Sequence, residues 1–109
     1  MSKESKILIS PGYGAGWSTW NNPKIRKFML TYQPIIDYLE AGGEIKSVDH
    51  PLLVQLEQEC LEKFGVDYVC TLGATDGLIV ETVSGRFRIH EYDGSEDVVY
   101  EKAEEWYDL

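Results

Sequence analysis

Lys6-Ile7-Leu8-Ile9-Ser10-Pro11-Gly12-Tyr13-Gly14-Ala15-Gly16-Trp17-Ser18-Thr19-Trp20-Asn21-Asn22-Pro23 is the stretch on which the reading of this chain turns. Its first five residues form a short continuous apolar run ended by Pro-Gly, the pattern of a buried strand that runs into a loop. Such a strand is expected to have other strands on both sides. Gly12, Gly14 and Gly16 lie within five residues and disfavour either regular element. Asn22-Pro23 then opens a helix, because Asn caps and Pro at the first helical position lacks only an N–H that would be orphaned anyway. Strand, glycine-rich turn and helix start therefore follow one another.

Outward from this stretch, Ile25, Phe28, Met29, Tyr32, Ile36 and Leu39 recur at spacings of three and four and mark one buried helical stripe. Pro34 predicts a kink or break near Thr31, and Gly42-Gly43 closes the segment. Asp49-His50-Pro51 repeats the cap-then-proline signature, and Leu53, Leu56, Cys60 and Phe64 form the stripe of a second helical segment that ends at Gly65. From Asp67 the period becomes two. The runs Tyr68–Leu72, Leu78–Val83, Arg86–Tyr92 and Glu96–Lys102 are separated by Gly73 to Gly77, Ser84-Gly85 and Asp93-Gly94, which predicts an antiparallel meander. The expected fold is α+β, an antiparallel sheet of about four to five strands (the N-terminal strand plus the C-terminal meander). Two helical segments, 22–41 and 49–64, cover one face of it. The 109 residues read as a single domain, with residues 103–109 as an acidic tail that Trp106 and Tyr107 could dock.

Hydrophobic residues at 43% and aromatics at 12% exclude a disordered chain. No apolar run reaches the roughly 18 to 20 residues of a membrane span, and Met1–Ser5 has no apolar signal core, so a cytoplasmic location is expected. Cys60 and Cys70 have no metal-type spacing and read as reduced, unpaired thiols. The net charge of −9 argues against direct nucleic-acid binding. That charge is uneven, with five Lys/Arg against one acid in residues 1–27 and eight acids against one Lys in residues 91–109. The acidic end is consistent with solubility, with repulsion of nucleic acid or with its imitation.

Two features could carry chemistry. The glycine loop precedes a helix start, an arrangement that presents backbone N–H groups to an anion. It lacks the third glycine of a dinucleotide fingerprint, since position 17 is Trp, and it lacks the Gly-Lys-Ser/Thr of a phosphate loop. Either Trp17 and Trp20 merely cover the core, or Tyr13, Trp17 and Trp20, with the backbone at Gly14, wall a pocket on which a planar group stacks. The second feature is a hairpin expected over Leu78–Tyr92 with its turn at Ser84-Gly85. It places Leu78, Val80, Phe87 and Ile89 on a core face and gathers Arg86, Arg88, His90 and Tyr92 on the other, with Glu81 opposite Arg88. Two guanidinium groups, an imidazole and a phenol in that order can hold phosphate or carboxylate. The alternative is a solvated face in which Arg88 pairs Glu81. No catalytic or metal set is recognisable, and no cofactor is expected.

Lys6 to Asn21, together with Gly85-Arg-Phe-Arg-Ile-His-Glu-Tyr-Asp-Gly-Ser-Glu96, resembles segments of small uncharacterised proteins encoded by bacteriophages and prophages. The resemblance implies a phage takeover of a host cell, where small non-enzymatic proteins inhibit defence systems by sequestering a nucleotide signal or by occupying a protein partner. The expected function is therefore anti-defence binding of a nucleotide-like anion through Tyr13, Gly14, Trp17, Trp20, Arg86, Arg88, His90 and Tyr92. The competing one is an acidic inhibitor that blocks a host defence protein directly. Exposed aromatics and short edge strands leave a homo-oligomer open.

Overall fold

The computed structural model describes residues 4–12, 14–75 and 77–100. The expected docking of 103–109 and the placement of Tyr13 lie outside them. The fold is α+β, in the order β1 (Glu4–Ile9), α1 (Pro23–Leu30), α2 (Gln33–Glu40), α3 (Pro51–Phe64), β2 (Ile79–Ser84), β3 (Phe87–Tyr92) and β4 (Ser95–Tyr100). Single turns of 3-10 helix at Ser18–Trp20 and Leu72–Thr75 punctuate the loops.

The helices form where the capping chemistry dictates. The Asn22 side chain accepts from Lys24 N at 2.9 Å, and the His50 imidazole accepts from Leu52 N at 3.2 Å, each directly ahead of a proline. The first helical segment breaks between Leu30 and Gln33, where Pro34 can neither donate to the preceding turn nor clear its carbonyls. Gly65 closes α3 with a φ of 64°, the left-handed conformation that glycine takes without a Cβ penalty. The stripe residues Ile25, Met29, Tyr32, Ile36, Leu53, Leu56 and Cys60 meet in one core with Leu8, Trp17 and Leu78.

The sheet differs from the single one expected of four to five strands. β1 pairs only with β2, antiparallel, with Ile7 opposite Glu81, Leu8 opposite Val80 and Ile9 opposite Ile79. β3 pairs only with β4, with Phe87 opposite Tyr100, Ile89 opposite Val98 and Glu91 opposite Glu96. These are two separate two-stranded ribbons, and the expected Ser84-Gly85 hairpin between β2 and β3 has no ladder. Turn chemistry explains the choice. A tight two-residue hairpin turn of the favoured twist needs positive φ at its first central residue (type II′) or at both (type I′). Asp93 and Gly94 supply it at 49° and 87°, whereas at Ser84-Gly85 only the glycine does, at 70°.

The continuous apolar run of β1 has the same origin. It is covered on two faces rather than flanked by strands at two edges. Leu8, with Val80, points into the helical core, while Ile7, Ile9 and Val83 form a second core against Phe87, Ile89 and Val98. The molecule is therefore layered as helices, then the β1–β2 ribbon, then the β3–β4 ribbon. The expected strand Tyr68–Leu72 is also absent as a strand. Val69, Cys70 and Thr71 are buried, but a side-chain amide replaces a neighbouring strand: Asn21 Oδ1 accepts from Cys70 N at 2.7 Å and Asn21 Nδ2 donates to Cys70 O at 3.0 Å.

Two titratable groups report on this core. The Tyr32 hydroxyl donates to Glu59 and accepts from Gln55 Nε2 at 2.8 Å, tying the α1–α2 junction to α3. Burial, reinforced by the Glu59 carboxylate, pushes its phenol up from 10.0 to about 12. An unfolded chain therefore ionises this phenol first, so its contribution is complete below pH 10 and is lost as pH rises toward 12. Tyr32→Phe should lower stability by about 1 to 2 kcal/mol at neutral pH. It should also flatten the fall in denaturation midpoint above pH 10, measured by urea titration across that range. Cys60 and Cys70 are free and both buried, and burial followed by the charges of Glu59 and Glu57 pushes the Cys60 thiol up to about 11. Native protein should show no rapidly reacting thiol with a colorimetric disulfide reagent, and two after denaturation.

Candidate functional site

The glycine loop gathers donors onto a carboxylate of its own chain. Glu96, 1% exposed, enters the loop from the start of β4. Its Oε1 accepts from Ser10 N at 2.9 Å, and its Oε2 accepts from Trp17 N at 2.8 Å, Thr19 N at 3.1 Å and Thr19 Oγ1 at 2.5 Å. A buried carboxylate is tolerated only when its lone pairs are taken up, and charge-assisted donors do this most strongly. No Lys or Arg pairs with it among the described residues, so three backbone amides and the Thr19 hydroxyl hold the carboxylate.

Bonds within the N-terminal half of the chain shape the loop. Ser10 Oγ donates to Ala15 O at 3.1 Å, Asn21 Nδ2 to Trp17 O at 2.7 Å, and Arg26 Nε to Asn21 O at 2.9 Å. Trp17 is fully buried, and its indole N–H donates at 3.0 Å to Met29 O, a carbonyl at the end of α1 that also receives the long 3.4 Å bond from Tyr32 N. Packing is close enough to exclude side chains. A Cβ on Gly73 would lie 2.6 Å from Gly16 O, and one on Gly94 would lie 2.5 Å from Ala15 N. The β3–β4 turn is stitched to the loop by Gly14 N donating to Asp93 O at 3.1 Å, Ser95 Oγ to Pro11 O at 2.6 Å, and Glu96 N to Ser10 O at 2.8 Å.

The residues expected to form one site are divided by this arrangement. Trp17 belongs to the core, so it walls no open pocket. Trp20 is 43% exposed and its indole donates to Glu91 Oε2 at 3.1 Å. Glu91 also accepts from Gly94 N at 2.8 Å, and these two donors, the Gly94 amide first, hold its carboxyl below the usual range. Glu91 alternates in phase with Phe87 and Ile89, on the side of β3 that faces the core. Arg88, His90 and Tyr92 occupy the opposite side, opposite Val99, Asp97 and Ser95 of β4. Trp17 and Trp20 are thus not brought onto the face of Arg88, His90 and Tyr92.

On that outer face Tyr92 is 69% exposed, and His90 Nδ1 lies 3.9 Å from Asp97 Oδ2. Glu81, expected beside Arg88, is in the other ribbon opposite Ile7. Arg86 precedes β3 and continues the alternation. A cavity of about 290 Å³ lined by Leu39, Ile45, Leu78 and Ile79 lies elsewhere, between α2 and β2, and none of the expected site residues lines it. No group of three metal-ligating side chains occurs among the described residues, and no described helix is long and apolar enough to cross a membrane.

Sequence reasoning missed Glu96, although a signal was present: it falls in phase with Val98 on β4, a charged residue at a core-facing position. No family model, curated protein or solved structure matches this chain.

The close approach of turn and loop is testable by comparing glycines. Gly85→Ala meets only backbone strain, since nothing lies within 4 Å of the added carbon, and should cost roughly 1 to 2 kcal/mol. Gly94→Ala adds a collision with the Gly14-Ala15 backbone, and should cost about 2 to 5 kcal/mol by chemical denaturation.

Proposed function

We propose that this protein is a non-enzymatic binder that takes up a nucleotide-like anion on the outer face of the β3–β4 ribbon. Arg86 and Arg88 hold the phosphate, and His90 and Tyr92 supply a further donor and a stacking surface. In the setting implied by the phage resemblance, this binding counteracts a host defence by sequestering its nucleotide signal in the host cytoplasm. One observation carries the reading. Arg88 has no hydrogen-bond or ion-pair partner among the described residues and stands opposite Val99, on a face shared with His90 and Tyr92. Side chains two apart on a strand sit about 7 Å from each other, a span that one nucleotide phosphate group bridges.

A second reading is supported by charge and shape. A two-stranded ribbon offers a row of side chains rather than a concave pocket, and the chain carries a net charge of −9. Both suit an acidic protein that blocks a basic surface of a host defence protein by direct contact.

The experiment is a thermal-shift and calorimetric titration with mono-, di- and triphosphate nucleotides and cyclic nucleotides, using the parent and Arg88→Ala. A native-state ligand raises the melting temperature by mass action. Arg88→Ala should keep its fold and lose about 1.5 to 3 kcal/mol of affinity, the worth of a charge-assisted hydrogen bond. No shift with any nucleotide, together with salt-sensitive capture of a basic protein partner, would instead favour the second reading.

A further inference from the structure

We propose that the backbone amides of Ser10, Trp17 and Thr19, with the Thr19 hydroxyl, form a carboxylate receptor in its own right. Glu96 is its resident ligand, and occupancy of the receptor by that carboxylate docks the β3–β4 hairpin against the rest of the molecule. This stands apart from any role of the outer hairpin face.

The receptor is built without its ligand. All four donors come from Ser10, Trp17 and Thr19, while the acceptor lies 77 to 86 positions away. The bonds that shape the loop run within residues 10–29 and to Cys70: Ser10 to Ala15, Asn21 to Trp17 and Cys70, Trp17 to Met29, and Arg26 to Asn21. None of them involves the hairpin. A donor set held in place by other contacts binds its anion with little ordering cost. A single carboxylate also matches its geometry, with one oxygen on Ser10 and the other on Trp17 and Thr19.

The hairpin, for its part, has few other anchors. Glu96 N donates to Ser10 O, Ser95 Oγ to Pro11 O and Trp20 Nε1 to Glu91, Gly14 N donates back to Asp93 O, and Phe87, Ile89 and Val98 cover Ile7, Ile9 and Val83. Most of the polar anchors lie within three residues of Glu96, so they act together with its carboxylate. In the parent chain the tethered carboxylate is present at high effective concentration and excludes a free one. Removing it leaves the donors facing a space the size of a small carboxylate.

The test uses full-length Glu96→Ala, titrated with sodium formate and sodium acetate, with sodium chloride at equal ionic strength as control. The readouts are melting temperature and the amide NMR shifts of Trp17 and Thr19. The expected result is a lowered melting temperature that formate or acetate raises saturably by several degrees while chloride does not, with both amides shifting along the same saturation curve. The parent should not respond. In Glu96→Ala combined with Thr19→Val, which removes one donor, the midpoint of rescue should move to several-fold higher concentration. If Glu96→Ala folds only when a carboxylate is present, the folded fraction replaces the melting temperature as the readout and supports the proposal equally. Absence of rescue, equal rescue by chloride, failure to fold at any carboxylate concentration, or rescue indifferent to Thr19→Val overturns it.

Discussion

The buried carboxylate of Glu96 is the constraint around which the rest is arranged. A charge 1% exposed, with no cationic partner among the described residues, stays in the interior only because four donors converge on it. Bonds among Ser10, Ala15, Trp17, Asn21 and Arg26 hold those donors in position. The carboxylate brings the β3–β4 turn close enough that Gly94 meets the Gly14-Ala15 backbone, while the indole bond to Met29 holds Trp17 inward. Gly94 and Gly73 stand where backbone must approach the backbone of the loop, and Trp17 is an anchor.

Much of the architecture was legible in the chain itself because local chemistry decided it. Asn22-Pro23 and His50-Pro51 start helices where caps and proline make starting favourable, and Pro34 breaks the first helical segment beside Thr31. The stripes of apolar residues face the core as their spacing requires. Strand pairing was less legible, because an apolar run such as Ile7-Leu8-Ile9 has the same pattern whether strands flank it or layers cover it. Two candidate turns also competed, and the difference between Ser84-Gly85 and Asp93-Gly94 lies in one residue's tolerance of positive φ. Tyr68–Leu72 reads as a strand from its period of two, but what pairs the backbone of Cys70 is the Asn21 side chain, which no periodicity reveals.

The candidate site was legible in a similarly uneven way. The glycine loop was recognisable as a gatherer of anions, yet the identity of the anion depends on residue 96, far along the sequence. The alternation of Arg88, His90 and Tyr92 on one face followed from strand geometry alone. Their separation from Trp17 and Trp20 did not, since it rests on which ribbon pairs with which. The burial of Trp17 is tied to the Met29 carbonyl at a helix break, a feature visible only once α1 and the loop are placed together.

The distance along the chain between the receptor loop and its carboxylate also has a kinetic meaning. β1 finds its partner only in residues 79–84, and Ser10 finds Glu96 only 86 positions later, so completing the β1–β2 ribbon and docking the β3–β4 hairpin both need long-range closures. Long-range closures of this kind slow folding, because the entropy of closing the loop is lost before the contacts are gained. During synthesis the strand and glycine loop emerge first, followed by helices that can form locally. The apolar Ile7-Leu8-Ile9 segment then waits, unpaired at its edges, until residues 79–84 appear. Such a strand is open to pairing with other chains until β2 arrives. The order of residues thus makes the interval before residues 79–84 are made the period in which this strand is most exposed to misassembly.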